Sequence, residues 1–141
     1  MGTATTGIGL SMRPSEFVWR DQAAIAPGAQ FAALLGDPSK PGTYVFRLRA
    51  PSGHRVLPHT HPDQRVYTVI SGTFYLGFGE HFSTARLEEY PTGSVILVRA
   101  GRHHFQEAKS GEYEVQIEGV GPTAVVYVDP SDDPRTAKAS R

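Results

Sequence analysis

The stretch "PHTHPDQRVYTVISGTFYLGFG", residues 58–79, decides the fold. It sets two histidines, His59 and His61, two apart, then runs into "RVYTVIS" (65–71) and "TFYLGFG" (73–79). Both runs are rich in β-branched and aromatic residues, and Gly72 separates them, the pattern of strands bounded by turns. In an extended backbone, residues i and i+2 point to the same face. Pro58 and Pro62 favour extension, so His59 and His61 are expected to project side by side into one space. Neutral imidazoles are good ligands for first-row divalent metals. A His-x-His doublet alone is a weak pattern, because two neighbouring surface histidines give the same spacing.

Further runs of the same kind lie on either side: "TYVFRLRA" (43–50), "SVILVRA" (94–100), "HHFQEA" (103–108), "EYEVQIEG" (112–119) and "TAVVYVD" (123–129). Fifteen glycines and eleven prolines punctuate them at short intervals. Such spacing predicts an all-β sandwich or barrel. "AQFAALLG" (29–36) has a helical look but is shorter than most stable helices. It is expected to be a turn, a single helical turn or an edge strand. Residues 1–15 are expected to be a flexible N-terminal segment, 16–134 one domain, and the polar residues 135–141 a flexible tail. Trp19 in "EFVWRD" is expected to anchor an arm or edge strand by packing.

The chain of 141 residues carries 14 basic and 14 acidic side chains, so it has no electrostatic footprint for nucleic acid or an anionic membrane. With no cysteine, a metal site must use histidine, carboxylate, amide or water. No apolar run approaches the roughly 20 residues of a membrane span. The first residues lack the basic and apolar regions of a secretory signal. A cytoplasmic protein is expected. No nucleophile arrangement, phosphate loop or dinucleotide motif is present.

Gly53 precedes His59 with five residues between, and Gly72 follows position 65 with six between. Downstream, "YPTGSVILVRAGRHHF" (90–105) reads as a turn, a buried strand, a second turn and then histidine. In these features the chain resembles the cupin superfamily, and in particular small single-domain bacterial cupins. The family's first motif, G-x5-H-x-H-x3-4-E-x6-G, is matched by Gly53, His59, His61 and Gly72. Part of its second motif, P-x-G-x2-H, falls on Arg99, Gly101 and His104, with Arg in place of Pro, and the motif's Asn falls on Ala108. The resemblance covers roughly residues 40–130 and implies a double-stranded β-helix, an antiparallel jelly-roll barrel with a metal inside. It further implies a homodimer, since small cupins commonly pair through sheet edges and N-terminal arms.

At position 65, where the motif has a glutamate ligand, this chain has Arg65. A guanidinium is permanently charged and cannot ligate a metal. Two readings follow. Either His59, His61 and His104 hold the ion alone, or Arg65 replaces the metal's charge and the histidines line a metal-free pocket. The first is favoured because all three histidines are kept. Gln64 offers a substitute ligand only through a bulge. Of His103 and His104 only one can face inward, and the motif spacing selects His104. His54 and His81 sit in turn-like contexts and are expected to be unrelated to the site.

If residue 65 points inward, Tyr67 and Val69 do too, and Tyr67 brings a hydroxyl near the metal or simply packs. Gln106 shares parity with His104 and is a candidate substrate contact. Phe74, Leu76 and Phe78 alternate as an apolar wall. Arg47 and Arg49 share one face, expected to be solvated, as do Glu112, Glu114, Gln116 and Glu118.

The resemblance extends to three-histidine Fe(II) dioxygenases, and so implies a mononuclear non-haem Fe(II) dioxygenase for a small enolate- or diketone-like substrate. Arg65 and Tyr67 would then act in catalysis and Arg65 and Gln106 in substrate binding, with Mn, Ni, Zn or Cu as other candidate ions. A Lewis-acid lyase or isomerase and a non-catalytic binder of a small anion are the alternatives.

Overall fold

The structure, a computed structural model, describes residues 3–5 and 9–139. The expectations for the two termini fall partly on residues 1, 2, 6–8, 140 and 141, which lie outside the described residues. A short hairpin pairs β1 (Thr3–Thr5) with β2 (Gly9–Ser11). Next come β3 (Arg20–Asp21), β4 (Gln30–Leu35), β5 (Gly42–Ala50), β6 (Arg55–Thr60), β7 (Arg65–Ser71) and β8 (Phe74–Phe78). They are followed by β9 (Glu88–Tyr90), β10 (Val95–Val98), β11 (His104–Glu107), β12 (Tyr113–Gly121), β13 (Val126–Tyr127) and a helix, α1 (Pro134–Ala139). One antiparallel sheet has the order β10-β7-β12-β5-β4-β3 and the other β13-β6-β11-β8-β9. This is the two-sheet β-barrel expected from the runs and their turns.

Alternation decides which side chains fill the barrel. Along β7, Arg65, Tyr67 and Val69 are buried while Val66, Thr68 and Ile70 are less so. The same two-residue period buries Tyr44, Phe46, Leu48 and Ala50 on β5, and Tyr113, Val115 and Ile117 on β12. Phe74 and Leu76 face the same core from β8, and Phe74 stacks on Tyr67 with ring centroids 5.8 Å apart. Gly72 makes the turn between β7 and β8 at φ +70°, and a Cβ there would lie 2.2 Å from the Glu112 carbonyl oxygen. No other residue type fits that turn without moving the backbone.

Several expectations need correction. Of the three expectations for residues 29–36 the edge strand comes nearest: Gln30–Leu35 is a strand with a register irregularity between Ala33 and Leu35, and only the two-residue β3 lies beyond it. The helix-like composition of this stretch yields to pairing along β5, which buries Ala32 and Leu34. The Arg47/Arg49 face is not simply solvated. Arg49 lies over the Trp19 ring at 3.9 Å and Arg47 over Phe17 at 5.1 Å, so the N-terminal segment covers it. Glu114 is likewise not a free solvent carboxylate but pairs with Arg47 at 2.9 Å. In "TAVVYVD" only Val126–Tyr127 is strand. The tail turns into α1, and Arg135 at its start donates from Nη2 to the Val125 carbonyl at 2.8 Å.

Candidate metal centre

His59 lies on β6, and His61 follows one residue past its end. His104 opens β11 and is the direct cross-strand partner of His59. The turn before β11 is tied back to the first histidine pair, since Gly101 N–H donates to the His61 carbonyl at 2.9 Å. One ring nitrogen from each of the three histidines lies within 4.8 Å of the other two.

Which nitrogens converge follows from the backbone. His59 Nδ1 sits 2.7 Å from the Leu57 carbonyl, His61 Nδ1 2.7 Å from that of Ala124, and His104 Nδ1 2.8 Å from that of Arg102. A carbonyl only accepts, so each Nδ1 carries the proton and each Nε2 keeps its lone pair. Nε2 of His61 and of His104 is buried without a hydrogen-bond partner. Buried acceptors left unpaired are costly. Burial foremost holds His59 and His61 well below the usual imidazole range, with Arg65 opposing protonation of both. Burial likewise brings His104 down to about 4. Three neutral, pre-oriented imidazoles are a donor set that fits one divalent ion without releasing protons.

The other histidines are elsewhere. His54 is buried, but its Nε2 is taken by the Ala26 carbonyl at 2.7 Å. His81 is exposed and His103 partly exposed, and neither belongs to the three-histidine group. Gln64 is exposed and is not placed to serve as a ligand.

Arg65 points inward. It is 6 % exposed and lines the same chamber as His59 and His61. Its Nη2 donates to Thr123 Oγ1 at 2.9 Å, and Thr123 Oγ1 donates to Asp63 Oδ1 at 2.6 Å. Tyr44 closes the far end of this relay by donating to Asp63 Oδ2 at 2.5 Å. Arg65 Nε is buried and unpartnered, and among the described residues no carboxylate forms an ion pair with Arg65. A buried cation lacking a direct counter-charge favours an anionic partner. Asp63 is a partner that proximity in sequence offers to Arg65, but the contact runs through Thr123, and neither Thr123 nor Tyr44 was anticipated from sequence.

Tyr67 and Gln106 both line the chamber. Tyr67 is 1 % exposed and its hydroxyl makes no hydrogen bond among the described residues. Gln106 Nε2 donates to the Tyr113 hydroxyl at 2.9 Å, which fixes its amide within the barrel.

No protein-family model matches the chain, and no curated protein matches it by sequence. Its structure is similar to that of the polyketide cyclase RemF from Streptomyces resistomycificus, with 17% identity, a TM-score of 0.68 and 91% of each chain covered. It is similar to an RmlC-like cupin from Ralstonia eutropha, with 18% identity, a TM-score of 0.64, and 91% of this chain and 81% of that one covered. It is also similar to the DMSP lyase DddQ from Ruegeria pomeroyi, with 16% identity, a TM-score of 0.64, and 80% of this chain and 61% of that one covered. Two antiparallel sheets closed into a barrel, and the likeness of that barrel to these structures, give the chain the cupin fold.

Proposed function

We propose that this chain is a metal-dependent cupin enzyme. One divalent transition-metal ion binds His59, His61 and His104, and a small anionic, oxygen-chelating substrate binds beside Arg65. The observation that carries this is the convergence of three unprotonated ring nitrogens next to a buried guanidinium that has no ion-pair partner among the described residues. The finer reading is a mononuclear non-haem Fe(II) dioxygenase for an enolate- or diketone-like substrate. Mn, Ni, Zn and Cu suit the same imidazole set.

A bound ion supplies Lewis acidity at the substrate oxygens and, where it is iron, a means of using O2. The chain's own residues do the rest. Arg65 holds the anionic oxygens and stabilises charge that grows on them. Tyr67, two residues further along β7, presents a free hydroxyl that can hold or pass a proton. Gln106 orients the substrate from the opposite sheet. Phe46, Leu48 and Ile117 line the chamber and exclude water.

Lewis-acid lyase or isomerase chemistry is a second reading, supported by two fold neighbours that are named a polyketide cyclase and a DMSP lyase. Elemental analysis of untagged protein is the deciding measurement. One ion per chain is expected, lost in His59→Ala, His61→Ala and His104→Ala but kept in His54→Ala, His81→Ala and His103→Ala. Equal metal content in all six variants refutes the assignment. Oxygen uptake by the Fe(II)-loaded protein with a diketone selects the dioxygenase; turnover without uptake selects the Lewis acid; ligand binding with no metal leaves a non-catalytic anion binder. A homodimer belongs to the same reading, supported by Val95 and Leu97 standing exposed on the edge strand β10. Light scattering should return twice the chain mass.

A further inference from the structure

The histidine chamber is small. It offers about 60 Å3, room for a few waters or a bound ion with a small head group. A second cavity of about 290 Å3 lies against it. The two share Gln22, Phe46, Arg65 and Val125 as walls, so Arg65 stands at their junction. Beyond that junction the outer cavity is lined by the apolar Ala24, Phe31 and Pro38 beside the polar Asp37, Ser39, Thr123 and Arg135.

The charged groups of the outer cavity are already matched, with one exception. Asp37 accepts from the Ser39 backbone N–H at 2.9 Å and from the Ser39 hydroxyl at 2.7 Å. Arg135 is held by Asp133 at 2.9 Å. Arg65 alone has a buried N–H without a partner. An occupant therefore needs a negative charge at the junction and none further out.

We infer that the substrate is an elongated monoanion. Its chelating, charged head sits between the three histidines and Arg65, and an uncharged apolar body lies in the outer cavity between Phe31 and Pro38. This deepens the proposed function and rests on it. Small diacids and short keto acids match it poorly: the former put a second charge where the outer cavity's charged groups are already matched, and the latter leave that cavity wet.

The test compares two probes that share a head and differ in body, pyruvate and 4-phenyl-2-oxobutanoate. Both are titrated calorimetrically into Zn(II)-loaded full-length protein, where the redox-silent ion lets binding be read without oxygen chemistry. The aryl compound should bind at least about tenfold more tightly, a conservative share of the gain from burying a phenyl ring. Ala24→Phe, which narrows the outer cavity, should remove that preference while metal content stays at one per chain. Ser39→Trp, at the exposed rim, serves the same purpose if Ala24→Phe does not fold.

Equal affinity for the two probes, with both still requiring the zinc and Arg65, overturns the elongated-substrate inference and leaves the proposed metal site standing. A preference that survives both variants also overturns it. Binding of neither probe, or binding that ignores zinc removal, overturns the proposed function and this inference together.

Discussion

Arg65 is where the chain departs from the cupin motif it resembles, and it concentrates the site's electrostatics. A guanidinium cannot discharge, so its charge acts on whatever ion and ligand share the chamber. Opposite charges about 4 Å apart interact by about 4 kcal/mol at an effective dielectric near 20, before desolvation is counted. Arg65→Met keeps the stem and removes the charge. It should weaken binding of an anionic ligand by at least about tenfold and tighten the metal, since a repelling cation has gone. Arg65→Glu should tighten the metal further by adding a carboxylate ligand. Competition with a metal chelator reads the first quantity and calorimetry with a keto acid the second. If both stay within error, Arg65 is a packing residue despite its burial. Parity in "RVYTVIS" put this side chain on one face with Tyr67 and Val69 but left open which face is the inner one. Its anchor was not legible, because Thr123 lies 58 residues away and meets Arg65 only when the loop after β12 folds across the barrel mouth.

Strands set the spacing of that anchor. β12 pairs with β5 on one side and with β7 on the other, and Gly119 lies opposite Tyr44 and Arg65 in the two registers. The lack of a side chain at 119 is what admits the Tyr44–Asp63 pair. A Cβ there would lie 2.6 Å from the Tyr44 hydroxyl and 2.8 Å from Asp63 Oδ2. Gly119→Ala must therefore push the pair aside. It should cost about 1–3 kcal/mol in urea unfolding, and it should weaken anion binding through Thr123 and Arg65 while metal content holds. Unchanged stability would show that the pair yields freely and does not position the guanidinium. At this scale the sequence was readable where one strand face is buried, as along β5, β7 and β12. It left residues 30–35 undecided between a turn and an edge strand, because apolar residues there follow one another too closely for the two-residue period to show. It misled at Arg47 and Arg49, where alternation correctly gave one shared face but could not reveal that Phe17 and Trp19 would cover it.

The barrel as a whole buries phenols as well as imidazoles, and this sets its alkaline limit. Tyr44, Tyr67 and Tyr113 are essentially without exposed surface. Burial, with the Asp63 hydrogen bond assisting and Arg65 opposing, pushes Tyr44 up to about 12. Burial pushes Tyr113 higher still against its hydrogen bond from Gln106. In the unfolded chain both phenols titrate near 10. Between about pH 10 and 12 the unfolded chain therefore releases protons that the folded chain retains. Folding stability must fall as pH rises through that window, whereas below it these groups are protonated in both states and contribute no slope. Each pH unit removes up to about 1.4 kcal/mol per buried phenol. Urea unfolding from pH 8 to 11, read together with phenolate absorbance, should give a plateau that breaks near pH 10. Tyr44 and Tyr113 should ionise only as the protein unfolds. Free titration of Tyr44 and Tyr113 near the ordinary phenol value, with the fold intact, would mean that the barrel interior is open to hydroxide and that the chamber walls do not exclude water. Composition counted the tyrosines, and alternation gave only Tyr67 a conditional place inside. That Tyr44 spans from the core to the relay under Arg65 emerged only from the closed sheet, which joins the packing of the barrel to the charge at its mouth.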